Sequence, residues 1–212
     1  MPPSYTTQAI AATSRATLSL LSEQGFKRRA VHLLRQSEDV LHCIHFQASR
    51  WGSSNEGQFT ANLVVTWQAA YETWTGNQFP ANPATAAYPI QLRIGLCLPE
   101  RCDTWWPVNA DTKPDSLATE VSSVIAEHAP LFFARFSSTH TVLENLRECG
   151  SLPGLTRKHA RLVHAQLAQS TGSIEEAKEI LTSEWQAAAK SPFQATIRSF
   201  ARRIGLELPA ST

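Results

Sequence analysis

Histidine and cysteine side chains, which can bind metals or take part in catalysis, cluster in two short stretches. These stretches are HCIH, residues 42–45, and CLPERC, residues 97–102. On a strand, side chains three positions apart face opposite sides, so His42 and His45 cannot share a site. The spacing also matches no zinc pattern of the CxxC type. The sequence therefore predicts no metal site and favours thiols that pack as small hydrophobic groups.

Nucleophilic catalysis would need a cysteine or serine beside a base, and the available pairs are His45 with Cys43 or with Ser49. Side chains on one face of a strand run parallel and seldom point at one another. The sequence has no nucleophile elbow, phosphate-binding Gly-rich loop, dinucleotide fingerprint or HExxH motif. A non-enzyme is therefore favoured over an enzyme, and we expect no cofactor.

The elements that position these residues include several predicted strands. Residues 40–49 and 59–67 alternate apolar and polar side chains around the turn GSSNEG, which predicts an antiparallel hairpin. A third alternating run covers residues 88–98. We expect an antiparallel meander of at least four strands, with DTWWPV, residues 103–108, as a candidate short fifth strand. Residues 69–87 show no sustained period and indicate a long loop, with a short turn of helix as an option within it.

Helical periodicity begins and ends the chain. Apolar side chains recur at helical spacing in residues 6–24, and Gly25 suits a left-handed cap. Asp115 or Ser116 is predicted to cap a central helix that Pro130 kinks or ends. A short helix is expected to end at Gly150.

Three further helices are predicted in the last third of the chain. Thr156 is expected to cap the first, SIEE at residues 173–176 forms a predicted capping box, and SPFQ at 191–194 repeats it with Pro192 at the first helical position.

Together these patterns predict an α+β fold. We expect an antiparallel sheet of four to five strands packed against N-terminal and central helices, followed by a C-terminal helical segment. Residues 1–140 would form the sheet domain, and residues 141–212 a helical extension packed on it as one unit.

One face of the predicted sheet is polar but carries little charge. Its members on three strands are His45, Gln47, Ser49, Thr60, Asn62, Gln91 and Arg93. A solvated sheet face usually carries more lysine and glutamate, so we expect this face to be covered. The C-terminal helices are the simplest candidate, and a bound molecule is the alternative.

Tryptophan gives a second indication of binding. The chain has six tryptophans, a residue type enriched at the energetic centres of interfaces as well as in cores. In the adjacent pair Trp105 and Trp106, an extended backbone turns one ring inward and the other outward. The outward ring is a candidate surface anchor.

Three segments together resemble a bacterial domain of unknown function, the family numbered 4304. They are GFKRRAVHLLR, VLHCIHFQASRWGSSNEGQFTANLVV and LRIGLCLPERCDTWWPV, which match a pattern of GF with basic residues, FQxS, FTxNLG and DxWW over roughly residues 18–130. The chain has Val64 where the pattern more often has glycine. The resemblance implies an α+β domain and supplies no activity, catalytic residue or cofactor.

The combined reading gives eight candidate binding residues. They are His45, Gln47, Ser49, Asn62, Arg93, Asp103, Trp105 and Trp106. We expect a protein-binding accessory, adaptor or immunity-type protein that uses the sheet face and the tryptophan-bearing edges. The alternative is a small enzyme or ligand-binding domain, with a pocket on the polar face under the 69–87 loop.

Charge and apolar length exclude other classes. The 19 Lys and Arg against 18 Asp and Glu leave a net charge of +1, which disfavours nucleic acid binding. The four cysteines are too few and too irregularly spaced for a disulfide scaffold. The sequence shows no secretory signal and no apolar stretch long enough to span a bilayer, so we expect no membrane contact and a cytoplasmic location.

Overall fold

The computed structural model describes residues 3–53, 55–86 and 89–208 and confirms the α+β fold with an antiparallel sheet. The strands are β1 (Lys27–Arg29), β2 (His32–Ser37), β3 (Val40–Ala48), β4 (Gly57–Thr66), β5 (Ile90–Arg93) and β6 (Trp106–Val108). The helices are α1 (Tyr5–Leu21), α2 (Gln68–Thr75), α3 (Pro114–Ala134), α4 (Thr139–Cys149), α5 (Arg157–Ser170), α6 (Ile174–Ala187) and α7 (Phe193–Arg203).

The chain forms two compact units. The first contains Met1–Val65 and Gln91–Phe136, and the second contains Thr66–Ile90 and Ser137–Thr212. The division into residues 1–140 and 141–212 stays a prediction. Among the described residues, none of the helices combines the length and the apolar character needed to cross a bilayer.

The sheet has the strand order β1-β2-β3-β4-β5, and β6 pairs with β4. The sequence analysis assigned no strand to residues 27–37, where β1 and β2 form an antiparallel hairpin. Ala30 makes its turn at φ 53°, a conformation that usually requires glycine or asparagine. The turn therefore carries no recognisable sequence signal, which explains why these strands were missed.

The apolar face of the sheet lies against α1, which in turn packs along α3. Buried side chains on this face include Ile44, Phe46 and Phe59. At Gly57, a Cβ would lie 2.5 Å from the hydroxyl oxygen of Thr6 on α1. Only glycine allows the helix and the strand to come this close.

The cap of α3 differs from the prediction, and of the two effects predicted for Pro130 the end of the helix does not occur. The helix begins at Pro114, and Lys113, rather than Asp115 or Ser116, occupies the cap position without a side-chain cap bond. Pro130 does not end the helix, which continues to Ala134. Because α3 is buried along one side, packing outweighs the loss of one backbone hydrogen bond at proline.

Capping in the second unit is partly as predicted. Thr156 accepts a hydrogen bond from the His159 amide and caps α5, which confirms that expectation. Ser173 makes no cap bond, so the predicted box at 173–176 is wrong. A capping box does occur at the start of α4, where Ser138 and Thr141 bond each other's backbone amides.

The glycine caps were predicted correctly, whereas two element boundaries were not. Gly25 and Gly150 have positive φ, as expected of left-handed caps. Pro192 occupies the cap position of α7 and not its first turn. The predicted 69–87 loop begins with the eight-residue helix α2.

Candidate functional site

A short turn after β5 folds the chain back beside its own strand. The strand ends at Arg93, and residues Ile94–Cys97 form a 3₁₀ turn. A Cβ at Gly95 would collide with the Cys102 carbonyl oxygen and the Thr104 side chain. Glycine therefore lets residues 102–104 lie directly over the turn. The turn also ends the strand at Arg93, five residues before the alternating run ends at Leu98.

This fold brings together three of the predicted binding residues, Arg93, Asp103 and Trp105, which we call the Arg93 cluster. The Arg93 guanidinium donates to the Asp103 carboxylate and lies 4.9 Å from the centre of the Trp105 ring. The hydrogen bond from Arg93, with a second from Trp105, lowers the pKa of Asp103. Asp103 therefore stays ionised and orients both the guanidinium and the indole.

The two adjacent tryptophans point in opposite directions, as the sequence predicted. Trp106 is only 6% exposed, and its ring centre lies 5.9 Å from that of Phe59 in the core. Trp105 is half-buried and keeps part of its ring at the surface. The outward ring is thus the one that Arg93 covers, and Trp106 fills the core.

A second group of predicted residues lies on the polar face of β3 and β4. Asn62 is completely buried, and its amide nitrogen donates to the Gln47 side-chain oxygen at 3.0 Å. His45 stacks on His32 of β2, with ring centres 4.4 Å apart. Burial lowers the pKa of His45, and burial together with His45 lowers the pKa of His32 to about 4.

The sequence analysis did not include His32, because it assigned no strand to its segment. Cross-strand register places His32 opposite His45, next to the Leu33–Ile44 pair. The Nδ1 atom of His32 and the Oδ1 atom of Asn62 are buried without a hydrogen-bond partner among the described residues. These two buried polar atoms on this face are therefore unsatisfied hydrogen-bonding groups.

Ser49 takes part in the turn between β3 and β4. Its hydroxyl accepts a hydrogen bond from the Trp51 amide at 3.1 Å, and its own amide donates to the Gln58 carbonyl. Thr60 joins the polar face to the Arg93 cluster, since its hydroxyl donates to the Thr104 carbonyl at 2.9 Å. The cluster thus lies at the edge of the polar face.

The described residues contain no group of three His, Cys, Asp or Glu side chains placed to hold a metal ion. His42 and His45 face opposite sides of the sheet, as predicted, because the His42 ring stacks on Phe133 of α3. Cys97 is half-buried, and burial raises the pKa of its thiol.

A groove in the first unit was not predicted. It encloses about 280 Å³ between α3 and the segment that follows β5, and its apolar lining comes from Leu92, Leu96, Leu131 and Phe132. The alternation of β5 gave a partial signal, because Leu92 must face away from its neighbour Arg93. No sequence signal indicated that α3 would form the other wall of the groove, because α3 is distant from β5 in the chain.

Comparisons with curated proteins and with solved structures found no match. A family described as a domain of unknown function, DUF4304, matches residues 18–135. The matched region includes the whole sheet, the Arg93 cluster and both groove walls, and it extends over more than half of the 212 residues. The chain therefore belongs to the DUF4304 family.

Proposed function

We propose that this chain is an accessory or adaptor protein that holds a protein partner through the Arg93 cluster. The observation that carries the proposal is the arrangement of an arginine over a partly exposed tryptophan, with both held by one aspartate. Arginine and tryptophan are the residue types that most often supply binding energy at protein interfaces.

The cluster is also ordered before any partner arrives. Asp103 accepts hydrogen bonds from both Arg93 and Trp105, so these side chains lose less rotational freedom on binding. The broad polar face is less suited to contact with a protein, because Asn62 and Thr60 are completely buried. The edge of that face, where the cluster lies, is the accessible part.

The test compares two tryptophans. Trp51 is 78% exposed and lies in the turn between β3 and β4, outside the Arg93 cluster. Affinity purification from the native host should recover a stoichiometric partner with wild-type chain and with Trp51→Ala. The variant Trp105→Ala should lose most of that partner, since truncating a central tryptophan typically costs about 2 kcal/mol or more.

Asp103→Asn sharpens this test without removing any ring. The amide presents weaker acceptors to Arg93 and Trp105, so binding of the partner should weaken about tenfold. Equal recovery with Trp105→Ala and wild type would refute the proposal. A monomer in light scattering that recovers no stoichiometric partner would refute it as well.

A second candidate function is binding of a small polar molecule at His32, His45, Gln47 and Asn62. The Oδ1 atom of Asn62 favours this candidate, because it is buried without a hydrogen-bond partner among the described residues. Buried polar atoms usually have such a partner. Thermal shift with a panel of small polar metabolites should reveal a ligand that stabilises the wild type and not Gln47→Ala. A panel that leaves the melting temperature unchanged would discard this candidate.

A further inference from the structure

The groove beside α3 has an apolar floor and two exposed leucines at its edges. Leu92 and Phe132 contribute to the floor. Leu96, which is 40% exposed, belongs to the 3₁₀ turn after β5, and Leu131, which is 68% exposed, belongs to α3. We call this feature the α3 groove. Exposed leucines on two walls of one depression are typical of a docking surface.

The two charged side chains that line the α3 groove, Arg101 and Arg135, are both basic. Arg101 and Arg135 are exposed at its rim, and His128 is half-buried in its wall. Among the described residues, no carboxylate lines the groove. Outside the lining, Glu127 lies 3.8 Å from the His128 ring nitrogen, and its side chain is 74% exposed. The groove therefore favours an anionic occupant.

Arg101 is held in an unusual backbone conformation. Its φ is 48°, a region that arginine seldom adopts and that glycine or asparagine would enter at lower cost. The Arg101 amide nevertheless donates to the Leu98 carbonyl at 3.0 Å and closes the turn. The closed turn therefore fixes the backbone of Arg101 at the rim of the groove.

We propose that the α3 groove binds an acidic amphipathic peptide segment of a partner protein. An apolar side chain of the segment would fill the floor between Leu92 and Phe132, and flanking carboxylates would pair with Arg101 and Arg135. A segment is favoured over a small molecule because the cavity is only about 280 Å³. A molecule of that size would leave Leu131 largely in water, whereas a segment that crosses the groove covers both walls.

This docking surface is separate from the Arg93 cluster. Leu92 lines the groove while Arg93 contacts Asp103 and Trp105, and neighbouring residues on a strand face opposite sides. Binding at the groove is therefore a role additional to the proposed function, and we expect variants of one surface to leave binding at the other unchanged.

The experiment pans a phage-displayed library of random peptides on the full chain and measures the enriched peptides by fluorescence anisotropy. We expect enriched sequences that combine leucine or phenylalanine with aspartate or glutamate. Their affinity should fall about tenfold or more with Leu131→Glu and with Arg135→Glu. It should also fall as salt is raised, because the rim charges are exposed.

Two control variants match these substitutions on α1. Leu20→Glu replaces an exposed leucine and Arg15→Glu an exposed arginine, and both should bind the peptides as the wild type does. A charge exchange tests the contact directly. Peptides whose acids are changed to lysine should bind Arg135→Glu better than they bind the wild type.

Each alternative result would overturn the inference. If the peptides bind Leu131→Glu and Arg135→Glu as tightly as the wild type, the peptide site lies elsewhere on the chain. If the library yields no peptide whose binding depends on the groove, the proposed site does not exist. Groove-dependent peptides without acids would refute the acidic occupant and leave the role of Trp105 untouched. Self-association abolished by Leu131→Glu would identify the occupant as a second copy of the chain.

Discussion

Each of the two compact units buries a histidine beside an arginine, but the groups that complete the two sites differ. In the first unit His42 lies between Arg35 and a backbone carbonyl. In the second unit His164 lies against Glu176, which also binds Arg147. The pKa of both histidines is lowered by burial, but only His164 has a carboxylate beside it that opposes this shift.

His42 is fixed in its neutral form. Arg35 can only donate, so its contact of 2.9 Å with Nδ1 makes that nitrogen an acceptor. The Nε2 hydrogen therefore donates to the Phe136 carbonyl at 2.8 Å. Burial, with a smaller contribution from the Arg35 charge, lowers the pKa of His42 to about 4. A proton on Nδ1 would place a positive charge directly beside the Arg35 guanidinium, which repels it.

His164 has a counter-charge instead. Its Nε2 atom lies 2.8 Å from Glu176 Oε1, and the other oxygen of Glu176 accepts from Arg147 at 2.7 Å. Burial lowers the pKa of His164, while Glu176 raises it. The hydrogen bond from Arg147 is the main reason that the pKa of Glu176 is lowered to about 2. Glu176 thus joins α4, α5 and α6 across a wide pH range.

The largest expected effect is loss of the His42 side chain. His42→Ala removes the partner of the Phe136 carbonyl, leaves Arg35 without its acceptor and opens a cavity beside Phe133. We expect the free energy of unfolding to fall by about 3 kcal/mol, measured by urea denaturation. The exposed His140 is the matched control, and His140→Ala should change stability by less than about 0.5 kcal/mol. Equal losses would refute the structural role of His42.

Acid should destabilise the protein before Glu176 loses its charge. The pKa of His42 is about 4 in the folded state, below the ordinary value of 6.5, so between these values the unfolded chain binds a proton that the folded chain does not. Stability is therefore lost as pH falls from 6.5 towards 4, by up to about 1.4 kcal/mol per pH unit for this one group. Urea unfolding across that pH range measures the slope.

The contribution of His42 can be separated from those of other histidines. His32, His45 and His164 also have lowered pKa values and add slopes of the same sign. Glutamine keeps an amide donor for the Phe136 carbonyl but does not titrate. His42→Gln should therefore show a flatter pH dependence than the wild type, and an unchanged slope would contradict the neutral assignment.

The Arg147–Glu176 pair should contribute less, because both side chains are partly exposed. We expect Arg147→Ala to lower the free energy of unfolding by about 1 kcal/mol, with a measurable coupling to Glu176→Gln in a double-mutant cycle. The more exposed pair Lys178–Glu175 is the control and should show a coupling of less than about 0.5 kcal/mol. A coupling no larger than that of the control would mean that Glu176 does not link the helices.

The smallest effect compares two serines at helix starts. Ser138 accepts from the Thr141 amide, so Ser138→Ala should destabilise the chain by about 1 kcal/mol. Ser173 makes no cap bond to α6, and its hydroxyl accepts instead from Arg147 at 3.4 Å. Ser173→Ala should therefore cost only a few tenths of a kcal/mol. Thermal unfolding of both variants distinguishes them, and a larger loss at Ser173 would restore the predicted capping box.

Local patterns predicted much of the first unit. The alternation in residues 40–49 and 59–67 identified β3 and β4, and the spacing of Trp105 and Trp106 identified which ring faces the core. The hairpin of β1 and β2 was missed because its turn residue, Ala30, carries no turn signal. Arg93 and Asp103 are separated by a turn that depends on Gly95, so their pairing could not be deduced from periodicity.

The predicted capping box at residues 173–176 failed for a physical reason that lies outside its own helix. Both side chains needed for the box are attracted by Arg147 on α4, and a charged guanidinium is a stronger donor than a backbone amide. Local propensity favoured the capping box, but Ser173 and Glu176 instead accept hydrogen bonds from Arg147, a residue far away in the chain.

The sequence by itself determined the α+β class, the apolar and polar faces of the sheet and the family, because these depend on periodicity and on residues close together in the chain. Only the tertiary structure decided that Asp103 holds Arg93 and Trp105, that His42 stays neutral and that α3 completes a basic groove. Those features depend on contacts between segments far apart in the chain. Their partners are set by packing, burial and charge, which no local pattern encodes.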